Sequence, residues 1–312
     1  MYLTNGGKFR GYRPAMAFGL PTLPFVDALP CPFRSQERVL EAEPDLPPGH
    51  LRWSRTLVQG RPAVYGEAGE GPPVVFLHGW GLGHHAYKRP LARLALRGCR
   101  VLAPALPGFG GTAELPSGSG IHGYGVWVDA FMEAVGVDEP AIVIGHSFGG
   151  GVAISLAHDY RSRVAKLVLV NSVGGAAWGD GDLGLSDRPL LQWAVMFGKE
   201  LWPPLKGLRL AFSVREDLIP NLLFNGRAML TAGVLAARAD LRGELEELRD
   251  RLLPVVVVSG ADDGVIPMSA FDALCGALGI EGQVLPGDHS WLLADPDAFD
   301  EVMANMVGLG AR

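Results

Sequence analysis

The chain is short of cysteine, of excess charge and of long apolar runs, and each shortage excludes something. Its three cysteines, Cys31, Cys99 and Cys275, are far apart and odd in number. They make neither a disulfide framework nor a CxxC metal site, so they are expected to be reduced and to serve packing. Lys and Arg number 27 against 33 Asp and Glu, a formal net charge of −6 with the two signs interspersed. That balance provides no basic face for nucleic acid and no polybasic membrane tether. No apolar run approaches the ~20 residues of a membrane span, and the N-terminus lacks the continuous apolar stretch of a signal peptide. A cytoplasmic protein is expected.

What is present is a chain of 312 residues, 48% hydrophobic and 19% charged, the ordinary composition of an α/β protein with one large core. Residues 1–50 are rich in glycine, proline and isolated aromatics without a helical or strand period, and are expected to form an N-terminal extension. From residue 52 the pattern turns regular. "RWSRTLVQG" and "RPAVYGEAG" predict a β-hairpin, and apolar runs then alternate with amphipathic stretches. The runs lie at 73–79, 100–106, 141–147, 166–172, 254–260 and 282–287, and their near-continuous Val, Ile and Leu content predicts a mostly parallel sheet covered by helices on both faces.

Some eighty residues separate the runs at 166–172 and 254–260, far more than one crossover helix needs. This predicts an insertion with Trp178, Trp193, Phe197, Trp202, Phe212 and Phe224, read as a helical lid over 176–235. It divides the core into 51–175 and 236–312. "RADLRGELEELRDRLL" is expected to return to the sheet as an amphipathic helix. Within the lid, Lys199, Lys206, Arg209 and Arg215 are interspersed with Glu200, Glu216 and Asp217, the pattern of a solvated mixed face.

In open α/β sheets ligands bind beyond the carboxyl ends of the strands. There stand His78–Gly81, Pro107–Gly110, Ser147, Asn171 and Ser172, Asp262 and Asp263, and His289. Gly145-His146-Ser147-Phe148-Gly149 has the pattern G-x-S-x-G. With thirteen serines and 43 glycines the bare pattern would occur by chance about a quarter of a time. Its specificity comes from context: a strand ends at the serine and a helix begins just after it, a sharp turn that demands glycine on both sides and holds Oγ into the cleft.

A serine hydroxyl needs a base. Only His158 and His289 follow Ser147, and His158 lies along the helix that starts there, out of reach of Oγ. His289, after the last strand, is the expected base. A carboxylate must orient it. Asp262 or Asp263 fits, whereas Asp288 is adjacent to the base in sequence and badly placed. The oxyanion of a tetrahedral intermediate calls for N–H donors, supplied here by Phe148 and Trp80. The other histidines carry less. His78 reads as structural, His84 and His85 as pocket lining or exposed loop without a third metal ligand, and His146 as packing below the elbow. His50 and His122 carry no inference.

Over roughly residues 52–310 the chain resembles the α/β-hydrolase superfamily, through strand order and the stretches "LHGWG", "LPGFG", "GHSFGG", "GADDGVIP" and "GDHSW". The resemblance implies the order nucleophile, acid, histidine and a cap where the long gap falls. It also implies an acid within G-x-x-D-x-x-x-P, which Gly260, Asp263 and Pro267 match, and so selects Asp263. Haloalkane dehalogenases and epoxide hydrolases in this superfamily have an aspartate nucleophile, which Ser147 replaces here. "HGWGL" and "LPGFG" look like pimeloyl-carrier-protein methyl ester esterases, which have tryptophan where this chain has His146.

The expectation is therefore an α/β-hydrolase fold with a helical lid, hydrolysing a carboxylic ester or thioester of a small molecule with an apolar part. It would use Ser147, His289, Asp263 and the N–H groups of Trp80 and Phe148, with no metal or organic cofactor. Carbon–carbon bond hydrolysis of a vinylogous diketone and low-turnover ligand binding are the alternatives. The oligomeric state has no signature in the sequence.

Overall fold

The computed structural model describes residues 49–83, 85–175 and 207–308, with side chains from 216 onward in the last stretch. The expected extension over 1–50 thus falls almost wholly outside the described residues. So do His84, the lid up to residue 206 with Trp178, Trp193, Phe197 and Trp202, and the side chain of Phe212.

The first two strands, β1 (Arg52–Val58) and β2 (Arg61–Ala68), form the expected hairpin. Gln59 and Gly60 both have positive φ, 51° and 73°. This is the two-residue turn whose twist matches that of the strands. The strands β3 (Pro73–Leu77), β4 (Arg100–Pro104), β5 (Ala141–His146), β6 (Val164–Val170), β7 (Val255–Gly260) and β8 (Gln283–Leu285) follow. The sheet order is β1-β2-β4-β3-β5-β6-β7-β8. Pairing is parallel from β4 to β8 and antiparallel where β2 meets β1 and β4.

Every residue of β3 is buried, and in β5 all but Ile142. Successive side chains of a strand point to opposite faces, so this burial requires cover on both sides. The cover comes in two groups. Helix α1 (Lys88–Ala95) packs with α8 (Trp291–Ala294) and α9 (Pro296–Val302). An Arg97–Asp300 pair, bidentate at 2.5 and 2.8 Å, locks the end of α1 to α9. The second group is α2 (Ile121–Ala134), α3 (Phe148–Asp159), α6 (Arg242–Asp250) and α7 (Met268–Leu278), packed in succession.

Between β6 and α6 lie α4 (Gly207–Phe224), with Pro220 inside it, and α5 (Gly226–Ala237). Helix α6 starts later than its charged amphipathic pattern suggests. Gly174 and Asp240 form a β-bridge, and Leu241 N–H donates to the Gly174 carbonyl at 2.9 Å, so the chain before Arg242 pairs with the segment after β6 instead of coiling. Cys99 is a buried free thiol and Cys275 a half-buried one. No helix among the described residues is long and apolar enough to cross a membrane.

Candidate active site

Strand β5 ends at His146 and α3 begins at Phe148, leaving Ser147 alone to turn the chain, at φ 53° and ψ −118°. For a residue with a Cβ such a conformation costs about 1–3 kcal/mol, and it persists only if its surroundings hold it. They do. Ser147 N–H donates to the Val170 carbonyl at 3.0 Å, and its own carbonyl accepts from Gly150 N–H at 2.9 Å and Val173 N–H at 3.2 Å. The flanking glycines are required by close approach. A Cβ on Gly145 would stand 2.5 Å from the Gly149 carbonyl oxygen, and one on Gly149 would stand 2.1 Å from that of Leu77. The helix can begin this close to the sheet only without those atoms.

The loops after β7 and β8 meet the elbow from another side. A Cβ on Gly260 would collide with the Gly287 and Asp288 carbonyls, at 2.5 and 2.7 Å, so glycine there lets the two loops touch. Within that contact His289 Nδ1 lies 2.8 Å from Asp263 Oδ2, both side chains 2% exposed. Asp263 Oδ1 accepts from the N–H groups of Val265 and Ile266, each at 2.8 Å, and Oδ2 also from Asn171 Nδ2 at 2.6 Å. Burial alone would push this carboxyl up. The charge and hydrogen bond of His289, joined by Asn171 and Ile266, outweigh it and hold the carboxyl below its ordinary value. Since Asp263 only accepts, His289 carries its proton on Nδ1, which makes Nε2 the basic nitrogen.

Sequence reasoning left Asp262 and Asp263 open, with the resemblance favouring the second. Asp262 is exposed and shapes the loop through its backbone, its N–H donating to the Gly287 carbonyl at 2.9 Å. Asp288 accepts from Ser290 N–H at 3.0 Å, a local turn. His158 lies on α3 against Asp159 and Glu247.

The loop after β3 passes over the serine, since a Cβ on Gly79 would be 3.3 Å from Ser147 Cβ. Its peptide planes are held by side chains. His78 is buried, its Nε2 receives Leu106 N–H at 2.8 Å, and its Nδ1–H donates to the Gly79 carbonyl at 2.9 Å. This turns the N–H of the same peptide, that of Trp80, the opposite way. Phe148 is fully buried, and as the first residue of α3 its N–H belongs to the set with no partner inside the helix.

Helix α4 reaches this loop with two buried polar side chains. Asp217 accepts from Ala86 N–H at 2.7 Å and meets His85 Nδ1 at 3.0 Å. One turn on, Asn221 Nδ2 donates to the carbonyls of Gly81 and Leu82, at 3.2 and 3.3 Å, and its Oδ1 receives Gly110 N–H at 3.3 Å. Trp80 Nε1 donates to the Met229 carbonyl on α5 at 2.6 Å. Asp217 is therefore no part of a solvated face. It is 4% exposed because it satisfies an N–H of the loop it covers, while Glu216 beside it is exposed and pairs with Lys88.

Three further residues escaped the sequence reading. Asn171 appeared only as a strand-end residue and Trp291, whose Nε1 donates to Asn171 Oδ1 at 2.8 Å, only within the stretch "GDHSW", while Tyr87 did not appear at all. A polar residue just past a strand end was the one available signal. Among the described residues no group of His, Cys, Asp and Glu is arranged to hold a metal ion.

The model of the alpha/beta hydrolase family matches residues 74–302. A pimeloyl-[acyl-carrier protein] methyl ester esterase of Aromatoleum aromaticum is 31% identical over 65% of this chain and 84% of its own. A 2-hydroxymuconate semialdehyde hydrolase of a Pseudomonas strain is 31% identical over 65% and 74%. A Mycobacterium phage D29 protein that bears the name of a non-heme haloperoxidase is 26% identical over 76% and 87%. The names of these relatives state different reactions, but the family model's match over 74–302, with the eight-stranded, mostly parallel sheet, shows that the chain belongs to the alpha/beta hydrolase family.

Proposed function

We propose that the protein hydrolyses a carboxylic ester or thioester through an acyl-enzyme. Ser147 Oγ attacks the acyl carbon while His289 Nε2 takes its proton. The oxyanion that forms receives the N–H groups of Trp80 and Phe148. His289 returns the proton to the departing alcohol or thiol, then takes one from the water that attacks the acyl-serine and gives it to Ser147 Oγ as the acid leaves. Asp263 keeps the imidazole in the right tautomer and stabilises its charged form. The observation that carries this reading is the buried 2.8 Å contact between His289 and Asp263, assembled from two loops beside a serine held at positive φ.

A lid over 176–235 is part of the proposal, with α4 and most of α5 as its described portion, as is an extension over 1–50 and a cytoplasmic location. The apolar residues of these helices and the Trp80 indole support a substrate with an apolar acyl or alcohol part. The test is hydrolysis of p-nitrophenyl esters of increasing acyl length, with fluorophosphonate labelling, by wild type and Ser147→Ala. Both signals should vanish in the variant, with kcat falling by more than about 1,000-fold. A folded wild type that neither turns over nor labels would overturn the reading. The 2-hydroxymuconate semialdehyde hydrolase relative favours a second one, carbon–carbon bond hydrolysis by the same three residues. Preference for a vinylogous diketone over every ester would establish it instead.

A further inference from the structure

Two buried polar side chains beside the elbow, His146 and Tyr87, take no part in the scheme above. They form a chain of hydrogen bonds with a defined direction. Gly79 N–H donates to Tyr87 Oη at 3.1 Å, Tyr87 Oη lies 2.8 Å from His146 Nδ1, and His146 Nε2 lies 2.9 Å from the main-chain carbonyl oxygen of His289. A carbonyl only accepts, so the His146 proton is on Nε2. In a neutral imidazole Nδ1 then accepts the Tyr87 hydroxyl proton.

The ends of this chain are the two halves of the proposed site. Gly79 precedes the oxyanion donor Trp80, and His289 is the base. At the centre stands the residue joined to Ser147 by a peptide bond, its ring 4.9 Å from the His289 ring, centroid to centroid. We propose that His146, held by Tyr87, is a positioning residue that ties the backbone of the base to the oxyanion loop and so aims His289 at Ser147. The inference rests on the acyl-enzyme reading.

The contact with Asp263 holds one ring nitrogen of His289, and the hold of His146 on that residue's own carbonyl, together with the His146 ring packed alongside, further restrains the tilt of the imidazole. When Ser147 attacks, His289 becomes an imidazolium, and a second charged ring at 4.9 Å would oppose this. Burial, followed by the proximity of His289, holds His146 down to about 3, so it stays neutral throughout. A leucine would fill much of the same volume but would lose the bonds to the His289 carbonyl and to the Tyr87 hydroxyl. Glutamine retains one donor and one acceptor.

The experiment compares wild type, His146→Leu, His146→Gln and Tyr87→Phe for kcat and KM on a p-nitrophenyl ester across pH, with melting temperature measured alongside. His146→Leu should lower kcat by up to about 100-fold, the scale of a misplacement of ~1 Å, with KM within about twofold of wild type. His146→Gln should recover most of that loss. Tyr87→Phe, which preserves the ring and threatens folding least, should lower kcat by about 3- to 10-fold, and should add little when combined with His146→Leu because the two share one chain. Wild-type kcat and pH profile in Tyr87→Phe, or no recovery in a folded His146→Gln, would overturn the inference. An active, labelled wild type separates that failure from failure of the acyl-enzyme reading, which would take this inference with it.

Discussion

Asn171 offers the sharpest test of how the site is held. It follows β6 at φ 45°, donates to Asp263 at 2.6 Å and accepts from Trp291 at 2.8 Å. Removing the side chain deletes a hydrogen bond to a charged acceptor, about 1.5–3 kcal/mol, and takes Asn171 Oδ1 away from the buried Trp291 N–H, about 1–3 kcal/mol. The two share a residue and do not simply add, so Asn171→Gly should lose about 3 kcal/mol. Asn171→Ala loses the same bonds and, unlike the glycine variant, keeps a Cβ in the left-handed region, about 1–2 kcal/mol worse than glycine there. Elsewhere in a chain alanine outranks glycine by about 0.5–1 kcal/mol, so here the order should level or invert.

The pH dependence has a definite sign. Asp263 is held below its ordinary value, so the stability it contributes is present above the carboxylate range of the unfolded chain and is lost as pH falls through its folded pKa. The part of the gap between wild type and Asn171→Gly that comes from the Asp263 bond should therefore narrow in acid, while the part from Trp291 persists. Equilibrium urea unfolding at several pH values measures the gap, which corresponds to a fall in Tm of roughly 6–12 °C. Ester kinetics on the same preparations should show kcat lowered by about tenfold, because Asp263 loses one of the groups that aim it. An alanine variant clearly more stable than the glycine variant, or a total loss below about 1 kcal/mol, would refute the reasoning.

Another prediction concerns the junction of α4 with the loop after β3. Asp217→Ala should leave the overall fold intact while raising amide hydrogen exchange in residues 81–88 and 216–224 together, since Asp217 accepts from Ala86 N–H across that junction. Faster exchange on one side alone would count against a shared anchor. A third prediction concerns the cluster where α2, α3 and α6 meet. Burial pulls His122 down, but Asp159 and then Glu244 outweigh it and set it above its ordinary value. Asp159 lies below its own, because its bonds to His122 and His158 outweigh its burial. The stabilisation by His122 is thus full below the unfolded histidine pKa and is lost as pH rises through the folded one. That by Asp159 is present at higher pH and lost as pH falls through its folded pKa. Wild type should melt above His122→Gln in mildly acidic buffer and converge with it in alkaline buffer. A constant difference across pH would show that charge is not the cause.

What could be read from the sequence follows the range of the interactions involved. The strands announce themselves because a strand buried on both faces must be apolar at every position, as β3 and β5 are. The elbow does so because its strain is local: Ser147 needs glycine two residues to either side, and both sit within the same pentapeptide. Asp263 was half legible. Its spacing from Gly260 and Pro267 matched a pattern, but what distinguishes it from Asp262 is which carboxylate faces His289, and that depends on how the loops after β7 and β8 cross at Gly260. Where α6 begins was misjudged for the same reason, since the competing partner of Asp240 is Gly174, sixty-six residues earlier.

The polar residues that hold the site were hardest to see, and the cause is physical. Tyr87 and His146 meet through the adjacency of β3 and β5, and Asp217 is buried because an N–H of the loop before α1 needs an acceptor. In sequence each has the appearance of its bland counterpart: a tyrosine before a helix, a histidine in a packed turn, an aspartate among surface charges. Burial of a polar group is tolerable only where its partners already wait, so the rule that betrays these residues applies to pairs, and pairs are created by topology. A sequence motif marks the atoms that would react because they constrain their own backbone. The groups that would aim those atoms constrain only one another, and they become visible once the sheet has brought them together.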